Sequence, residues 1–406
     1  MSGKEKMKVI EAGVNAPQGF TAGGLACGLK KDKLDLGWIY SSVPANAAAV
    51  YTTNLFQAAP ILVTKESMAV EEKIQGVLVN SGNANACTGE PGLENAYRMR
   101  RAFADLKATK EHYIAVASTG VIGEQLPMDK IEAGIAAISP EHEDEQGENF
   151  AQAILTTDTC SKKAAVELEI DGKRVIIAGV AKGSGMIHPN MATMLGFITT
   201  DAEVEQAALA SLLKEATDLS FHCITVDGDT STNDMVLVMA NGLAQNHPLH
   251  AGHPEWESFK AGFVYVCQEL AKQIARDGEG ATKLIEVEVQ GAASDREAQQ
   301  IAKTIVGSSL LKSAVFGCDP NWGRIVCAIG YSGVKLDPNQ VKVNLGPFTV
   351  VENGLPREFD REAALQYLKQ DEIKIEVLLA HGSGKAVAWG CDLTYDYVKI
   401  NAMYTT

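Results

Sequence analysis

Short runs of apolar and β-branched residues, separated by turn-forming residues, constrain the fold of this chain more than any other feature. Runs of about four to eight such residues are typical of strands. They outnumber the long helical patterns and do not alternate strictly with them. The pattern favours a layered α/β fold with mixed sheets over a doubly wound parallel sheet. No internal repeat, linker or low-complexity segment is visible.

The same pattern predicts individual elements. Strands are predicted at residues 36–41, 47–51, 61–64, 76–79, 113–117, 164–170, 174–180, 223–226, 235–240, 284–289, 341–345, 373–379 and 386–390. Helical spacing of apolar residues predicts helices at 91–106, 129–138, 149–155, 203–219, 256–275, 295–306 and 361–368.

Four local signals refine these elements. Asp201 is a candidate N-cap for the helix over 203–219. I-D-G-K at 170–173 predicts a hairpin, because Asp-Gly suits a type I′ turn. Residues 318–324 are predicted to form a loop, and the terminal segment 397–406 is expected to be docked, because it lacks the character of a tail.

Composition and charge exclude several classes of protein. The 406 residues are 46% hydrophobic and 21% charged, close to average globular usage. A net charge of −15 and a pI near 5.1 argue against nucleic acid or an anionic membrane as a partner. No apolar run approaches the ~18 residues of a membrane span, and no secretory signal is visible. The eight cysteines are scattered, so free thiols in the cytoplasm are expected.

Residues 182–200, K-G-S-G-M-I-H-P-N-M-A-T-M-L-G-F-I-T-T, contain the main candidate for chemistry. A single candidate nucleophile, Thr193, follows Ala192 between two apolar runs. A threonine hydroxyl is a poor nucleophile without an adjacent base. Its own α-amino group would supply that base once the Ala192–Thr193 bond is cut. We therefore hypothesise that the chain cleaves itself between these two residues.

Five other polar segments offer weaker signals. S-T-G-V-I-G at 118–123 follows a predicted strand and could form either an oxyanion hole or a simple turn. A structural turn is favoured for the Asn-rich residues 80–89, and a capping or turn role for T-T-D-T at 156–159. Glu279, between two glycines, is either a cleft carboxylate or part of a solvated loop. D-G-D-T-S-T-N-D at 227–234 superficially suggests calcium but lacks the Gly and Glu of an EF-hand loop, so an architectural role is favoured.

Several long motifs follow one another along the chain: G-N-A-N-A-C-T-G at 82–89, S-T-G-V-I-G at 118–123, K-G-S-G-M-I-H-P-N-M-A-T-M-L at 182–195, D-G-D-T-S-T-N-D at 227–234, C-D-P-N-W-G-R at 318–324 and I-N-A-M-Y-T-T at 400–406. With these motifs in this order, the chain resembles the bifunctional ornithine acetyltransferase (glutamate N-acetyltransferase) family of arginine biosynthesis. The resemblance implies β-sheets sandwiched between helical layers, similar in architecture to N-terminal-nucleophile hydrolases but different in connectivity. It also implies self-cleavage into an α chain, residues 1–192, and a β chain, residues 193–406, which assemble as an α2β2 heterotetramer.

The resemblance also assigns roles to individual residues. Thr193 would be the nucleophile of both self-cleavage and acetyl transfer. Thr119 and Gly120 match the oxyanion-hole pair, through a hydroxyl and a backbone N–H. The substrate-binding positions match Thr156, Lys182, Thr193, Glu279, Asn401 and Thr406, with Thr157 as an alternative to Thr156. We expect Lys182 to bind a carboxylate and Glu279 an ammonium group.

The implied reaction is a ping-pong acetyl transfer from N-acetylornithine to glutamate, with neither metal nor organic cofactor. Whether acetyl-CoA is a second donor stays open. Two other interpretations are a self-processing amidohydrolase or aminopeptidase, which gives the acyl group to water, and a structural or ligand-binding protein that never matures. His188 could act as a base, but a role in structuring its loop is favoured.

Overall fold

The framework of the molecule is β-rich. A computed structural model describes residues 7–188 and 194–403. The strands of this part, numbered along the chain, are β1 (Lys8–Ile10), β2 (Phe20–Leu25), β3 (Leu36–Tyr51), β4 (Lys73–Asn83), β5 (Ile114–Val121), β6 (Lys162–Ile170), β7 (Lys173–Lys182), β8 (Leu195–Thr200), β9 (Ile224–Thr225), β10 (Met235–Ala240), β11 (Leu284–Ala292), β12 (Lys342–Leu345), β13 (Phe348–Glu352), β14 (Leu355–Pro356), β15 (Glu372–Leu378) and β16 (Gly384–Cys391).

Helices of very different length connect and cover these strands. They are α1 (Ala59–Glu71), α2 (Gly89–Leu106), α3 (Met128–Ala136), α4 (Glu148–Ala153), α5 (Gln206–Asp218), α6 (Trp256–Arg276), α7 (Asp295–Val306), α8 (Ser309–Phe316), α9 (Trp322–Gly330), α10 (Arg361–Tyr367) and α11 (Tyr395–Met403).

The described strands form two mixed sheets. The first runs in the order β1-β6-β7-β8-β10-β3-β4-β5, with β2 paired to β3, and the second in the order β14-β13-β12-β15-β11-β16-β9. In the first sheet, β8 is antiparallel to β7 and parallel to β10. In the second, β11 is parallel to β15 and antiparallel to β16. The predicted layered α/β fold with mixed sheets is confirmed.

Helix α6 packs against both sheets, since it contacts β6 and β7 of the first sheet and β16 of the second. Its buried residues include Phe259, Phe263, Val266, Leu270 and Ile274, spaced three or four residues apart on one face. Each fully buried side chain of this size stabilises the fold by about 1.5–3 kcal/mol. None of the described helices is long and apolar enough to cross a membrane.

The strand predicted at 61–64 is wrong, because these residues lie in helix α1. Pro60 stands in the first turn of that helix, where its fixed φ suits a helix start. The buried residues Ile61, Thr64 and Ser67 continue at three-residue spacing, which is a helical face. The prediction relied on a short apolar run, and the periodicity of so short a run cannot distinguish a strand from a helix.

Asp201 is not the N-cap of α5, since Glu205 occupies that position. The Asp201 carboxylate instead accepts hydrogen bonds from the backbone N–H groups of Gln18 (2.9 Å) and Ile176 (2.8 Å). It therefore links three distant segments rather than starting a helix. The predicted loop at 318–324 is also shorter than expected, because α9 begins at Trp322.

The remaining predicted elements are present, with bounds shifted by a few residues. The strands predicted at 36–41 and 47–51 form one long strand, β3, whose register with β4 shifts between Tyr40 and Ala45. The hairpin of β6 and β7 turns at Asp171 and Gly172, both with positive φ (50° and 69°), as a type I′ turn requires.

Candidate active site

One cavity brings together the predicted site residues that the structure describes. Its volume is about 180 Å³, and Met194 is part of its wall. The predicted residues that line it are Thr119, Gly120, Thr156, Lys182, Glu279 and Asn401, together with the alternative Thr157. Ala192, Thr193 and Thr406 lie outside the described residues.

Thr119 and Gly120 lie at the end of β5, where the pairing with β4 becomes irregular beside Asn83. Gly120 has a φ of 137°, a conformation that favours glycine. A Cβ at this position would lie 2.3 Å from the carbonyl carbon of Gly82 and 2.5 Å from the Asn83 nitrogen. Only glycine fits so close to β4, so the strand ends with a bare backbone beside the Thr119 hydroxyl.

Lys182 is the last residue of β7, and it is largely buried. Its Nζ atom lies 2.8 Å from the Thr156 hydroxyl oxygen and 3.4 Å from that of Thr119. The lysine therefore joins a predicted substrate-binding residue to the predicted oxyanion hole.

Glu279 and Asn401 form a second polar pair in the cavity wall. The Asn401 side-chain amide donates to Glu279 Oε2 over 2.7 Å, which attaches helix α11 to the site. A Cβ on Gly185 would lie 2.3–2.5 Å from the Glu279 carboxyl group. The glycine-rich segment after Lys182 therefore leaves the room that this carboxylate occupies.

Behind Lys182 lies a chain of buried charges. Lys162 Nζ is 2.8 Å from Asp158 Oδ1 and 2.6 Å from Asp277 Oδ2, and Lys182 Nζ is 3.8 Å from Asp158 Oδ2. Burial alone would raise the pKa of Asp158, but the charges of Lys182 and Lys162 outweigh it and hold that pKa below its usual range. Asp158 therefore remains ionised at neutral pH.

Comparison with known proteins identifies the family. A model of the ArgJ family matches residues 21–406. The chain belongs to the ArgJ family. The predicted resemblance to the ornithine acetyltransferase family of arginine biosynthesis is confirmed by this match.

Curated ArgJ relatives match almost the whole chain. The "Arginine biosynthesis bifunctional protein ArgJ" of Geobacillus kaustophilus (strain HTA426) is 57% identical over 398 residues, which cover 98% of this chain and 97% of that relative. The protein of the same name from Bacillus licheniformis is 58% identical over 403 residues, 99% of each chain. A crystal structure of the arginine biosynthesis bifunctional protein argJ from Bacillus halodurans has 55% identity and a TM-score of 0.52. It covers 52% of this chain and 100% of that chain.

The motif at 227–234 divides into two halves with different roles. Asp227 is architectural, as predicted, since its carboxylate accepts the backbone N–H groups of Met186 (2.7 Å) and Ile187 (2.9 Å). The second half, from Ser231 to Asp234, lines the cavity. Asn233 connects the surrounding motifs by donating to the carbonyl oxygens of Ala84 (2.6 Å) and Ser118 (2.8 Å).

Asp234 is a cavity residue that sequence reasoning missed. Burial raises its pKa well above the usual range of a carboxyl group. Its Oδ2 atom has no hydrogen-bond partner among residues 7–188 and 194–403. A buried carboxyl group of this kind is typical of functional sites. The only sequence signal was its position at the end of a motif that also contains architectural acids.

His188 fits the predicted loop-structuring role. Its Nδ1 atom lies 2.9 Å from the Thr225 hydroxyl of β9. Burial, together with the charge of Lys303, lowers its pKa to about 4, so the imidazole is neutral near pH 7. In the described part of the chain, no group of three or more His, Cys, Asp or Glu side chains could hold a metal ion.

Proposed function

We propose that the chain cleaves its own Ala192–Thr193 bond and then transfers the acetyl group of N-acetylornithine to glutamate through an ester on Thr193. The main observation behind this proposal is that residues as distant as Thr119 and Asn401 line one and the same cavity. Met194, which is bonded to Thr193, lines the same cavity. The near-complete match to relatives named for arginine biosynthesis supports the proposed substrates.

The self-cleavage step needs only Thr193 and water. The Thr193 hydroxyl attacks the carbonyl carbon of Ala192, the C–N bond breaks, and an ester and a free amine form. Water then hydrolyses the ester and leaves Thr193 at the start of the new chain.

The transfer step uses the freed amine as a base. An α-amine has an unperturbed pKa of about 7.7–8.0, which suits proton transfer near neutral pH. Thr193 attacks the acetyl carbonyl, and the Thr119 hydroxyl and the Gly120 N–H stabilise the tetrahedral oxyanion. Ornithine leaves with a proton on its amine. Glutamate then attacks the acetyl-threonine ester and carries the acetyl group away.

The charges of the cavity match the substrates. N-acetylornithine carries one carboxylate and one ammonium group, while Lys182 and Glu279 supply one cation and one anion in the wall. Lys182 binds a carboxylate in this proposal, and Glu279, positioned by Asn401, binds an ammonium group. The two fragments stay together and pair into an α2β2 assembly.

An acetyl-transfer assay with two donors tests the reaction. With N-acetylornithine and glutamate, the purified protein should release ornithine and N-acetylglutamate in equal amounts. Acetate release that does not depend on glutamate would instead indicate a hydrolase, and no transfer at all would contradict the proposal. A parallel assay with acetyl-CoA and glutamate determines whether the enzyme has a second donor.

A further inference from the structure

Four buried charges of alternating sign lead into the cavity, in the order Asp277, Lys162, Asp158 and Lys182. The side chains of Lys162 and Asp158 are completely inaccessible to solvent. Of the four, only Lys182 lines the cavity. Burying ion pairs generally stabilises a fold no better than apolar side chains of the same size, so this chain of charges calls for another role.

Asp158 joins two walls of the cavity. Its Oδ2 atom accepts the backbone N–H of Thr156 over 3.1 Å. Its Oδ1 atom accepts the backbone N–H of Gly183, the residue after Lys182, over 2.6 Å. One carboxylate therefore fixes the separation of Thr156 and Lys182 and also faces the Lys182 ammonium group.

The direction of the hydrogen bonds from Lys182 is set by its chemistry. An ammonium group has three donors and no acceptor. The hydroxyl oxygens of Thr156 and Thr119 must therefore accept from it. Among residues 7–188 and 194–403, neither hydroxyl donates to a second group, so none of these residues competes for the Thr119 hydrogen.

We propose that Asp158 is a positioning residue for acetyl transfer, because it holds the Lys182 ammonium against the Thr119 hydroxyl oxygen and so directs the Thr119 hydrogen at the oxyanion. This inference rests on the proposed function, in which Thr119 is part of the oxyanion hole. Donation by a cation also makes the Thr119 hydroxyl a stronger hydrogen-bond donor. Lys182 then assists the transition state in addition to binding substrate.

A double-mutant cycle between Asp158 and Thr119 tests the proposal. The rates are measured with N-acetylornithine and glutamate and expressed per mole of cleaved chain, so that a defect in maturation does not count as a defect in transfer. Asp158→Asn should lower kcat by about 10- to 100-fold, the cost of a small misplacement of a reacting group. KM should change less than kcat, because the oxyanion exists only in the transition state.

The cycle separates a positioning role from a structural one. In a Thr119→Ala background, Asp158→Asn should change kcat by no more than about twofold, because the hydroxyl on which it acts is absent. Thr119→Ser, which keeps the hydroxyl, should restore the dependence on Asp158. Glu148→Gln is the matched control, since Glu148 pairs with Lys163 at 2.6 Å, next to Lys162 but outside the cavity. It should leave kcat unchanged.

If the fold-losses in kcat of Asp158→Asn and Thr119→Ala multiply in the double variant, the inference is overturned. A wild-type kcat for Asp158→Asn would also overturn it. If Asp158→Asn gives no folded, cleaved protein, the same cycle is run with Asp158→Glu, which keeps the charge but displaces the carboxylate. A wild-type protein that transfers no acetyl group would refute the proposed function and this inference with it. If the wild-type protein is active but the effects of the two variants on kcat multiply, this inference is overturned and the proposed function stands.

Discussion

Asp158 and Lys182 show how two neighbouring residues can contribute to one site in different ways. Lys182 lines the cavity, so its replacement would alter substrate binding and the charge chain together. Asp158 does not line the cavity, yet it contacts Lys162, Gly183 and Thr156. Its replacement therefore tests the charge chain without removing a direct substrate contact.

Asp158→Asn should destabilise the fold in a pH-dependent way. The pKa of Asp158 is lower in the folded state than in the unfolded chain, where it is about 3.9. Its ionised form therefore contributes stability above about pH 4, and this contribution is lost as the pH falls towards the folded pKa. Breaking a buried ion pair costs about 3–5 kcal/mol, so we expect a loss of that order at pH 7.

Denaturant unfolding of Asp158→Asn and the parent protein at pH 7 and pH 3 measures this effect. Both proteins should carry Thr193→Ala, so that a single uncleaved chain can refold. The difference in the free energy of unfolding should be smaller at pH 3 than at pH 7. An equal difference at both pH values would show that the charge of Asp158 does not contribute.

The motif residues of the site could be predicted from the sequence, but the chain of charges behind them could not. Thr119, Lys182 and Glu279 stand in recognisable local contexts, next to a strand end or between glycines. Lys162 and Asp277 are 115 residues apart, and neither stands in a motif. Their pairing depends on how α6 packs against β6, which local sequence does not specify.

Among the helices and strands, a long apolar pattern predicts the type of element better than a short one does. The 21-residue helix α6 repeats its apolar spacing over several turns, so its period is unambiguous. The four-residue run at 61–64 is too short to show a period, so the strand predicted there is wrong. Asp201 has the right residue type for a helix cap, but tertiary hydrogen bonds to Gln18 and Ile176 determine its position.

Helix α11 should be displaced by a single added methyl group. Gly280 has a φ of 68°, and a Cβ on it would lie 2.7 Å from the backbone nitrogen of Tyr397 in α11. Gly280→Ala should therefore weaken the contact of Asn401 with Glu279 and raise KM for N-acetylornithine. Steady-state kinetics of the variant measure this effect.

Gly172→Ala provides the control for that variant. Gly172 has nearly the same φ, 69°, but a Cβ there would meet nothing within 4 Å. Both variants should lose about 1–2 kcal/mol of stability from the left-handed backbone. Only Gly280→Ala should raise KM, and an equal rise in Gly172→Ala would show that backbone strain, rather than α11, is responsible.

At the scale of the whole molecule, the proposed cleavage site lies between two paired strands of one sheet. β7 precedes it and β8 follows it, and these strands are antiparallel neighbours. β10, which also follows the site, pairs with β3 from the first half of the chain. The two fragments would therefore share one continuous sheet and the hydrophobic clusters that contain residues from both of them.

The fragments should consequently remain associated after cleavage. On size-exclusion chromatography in native buffer they should elute together, at the size of an α2β2 assembly, and on a denaturing gel they should separate. Elution at the size of one fragment pair would contradict the α2β2 proposal. Separate elution of the fragments would also contradict the shared sheet.

In the proposed reaction Thr193 carries the acetyl group, and mass spectrometry of a trapped intermediate can detect the group on that residue. The protein is incubated with N-acetylornithine without glutamate, quenched in acid and analysed as intact fragments and as peptides. We expect a fragment that begins at Thr193 and carries one acetyl group on its hydroxyl, which is lost when glutamate is added before the quench. Thr193→Ala should give one uncleaved, unacetylated chain. A fragment that begins at another residue, or an acetyl group on another residue, would refute the proposed role of Thr193.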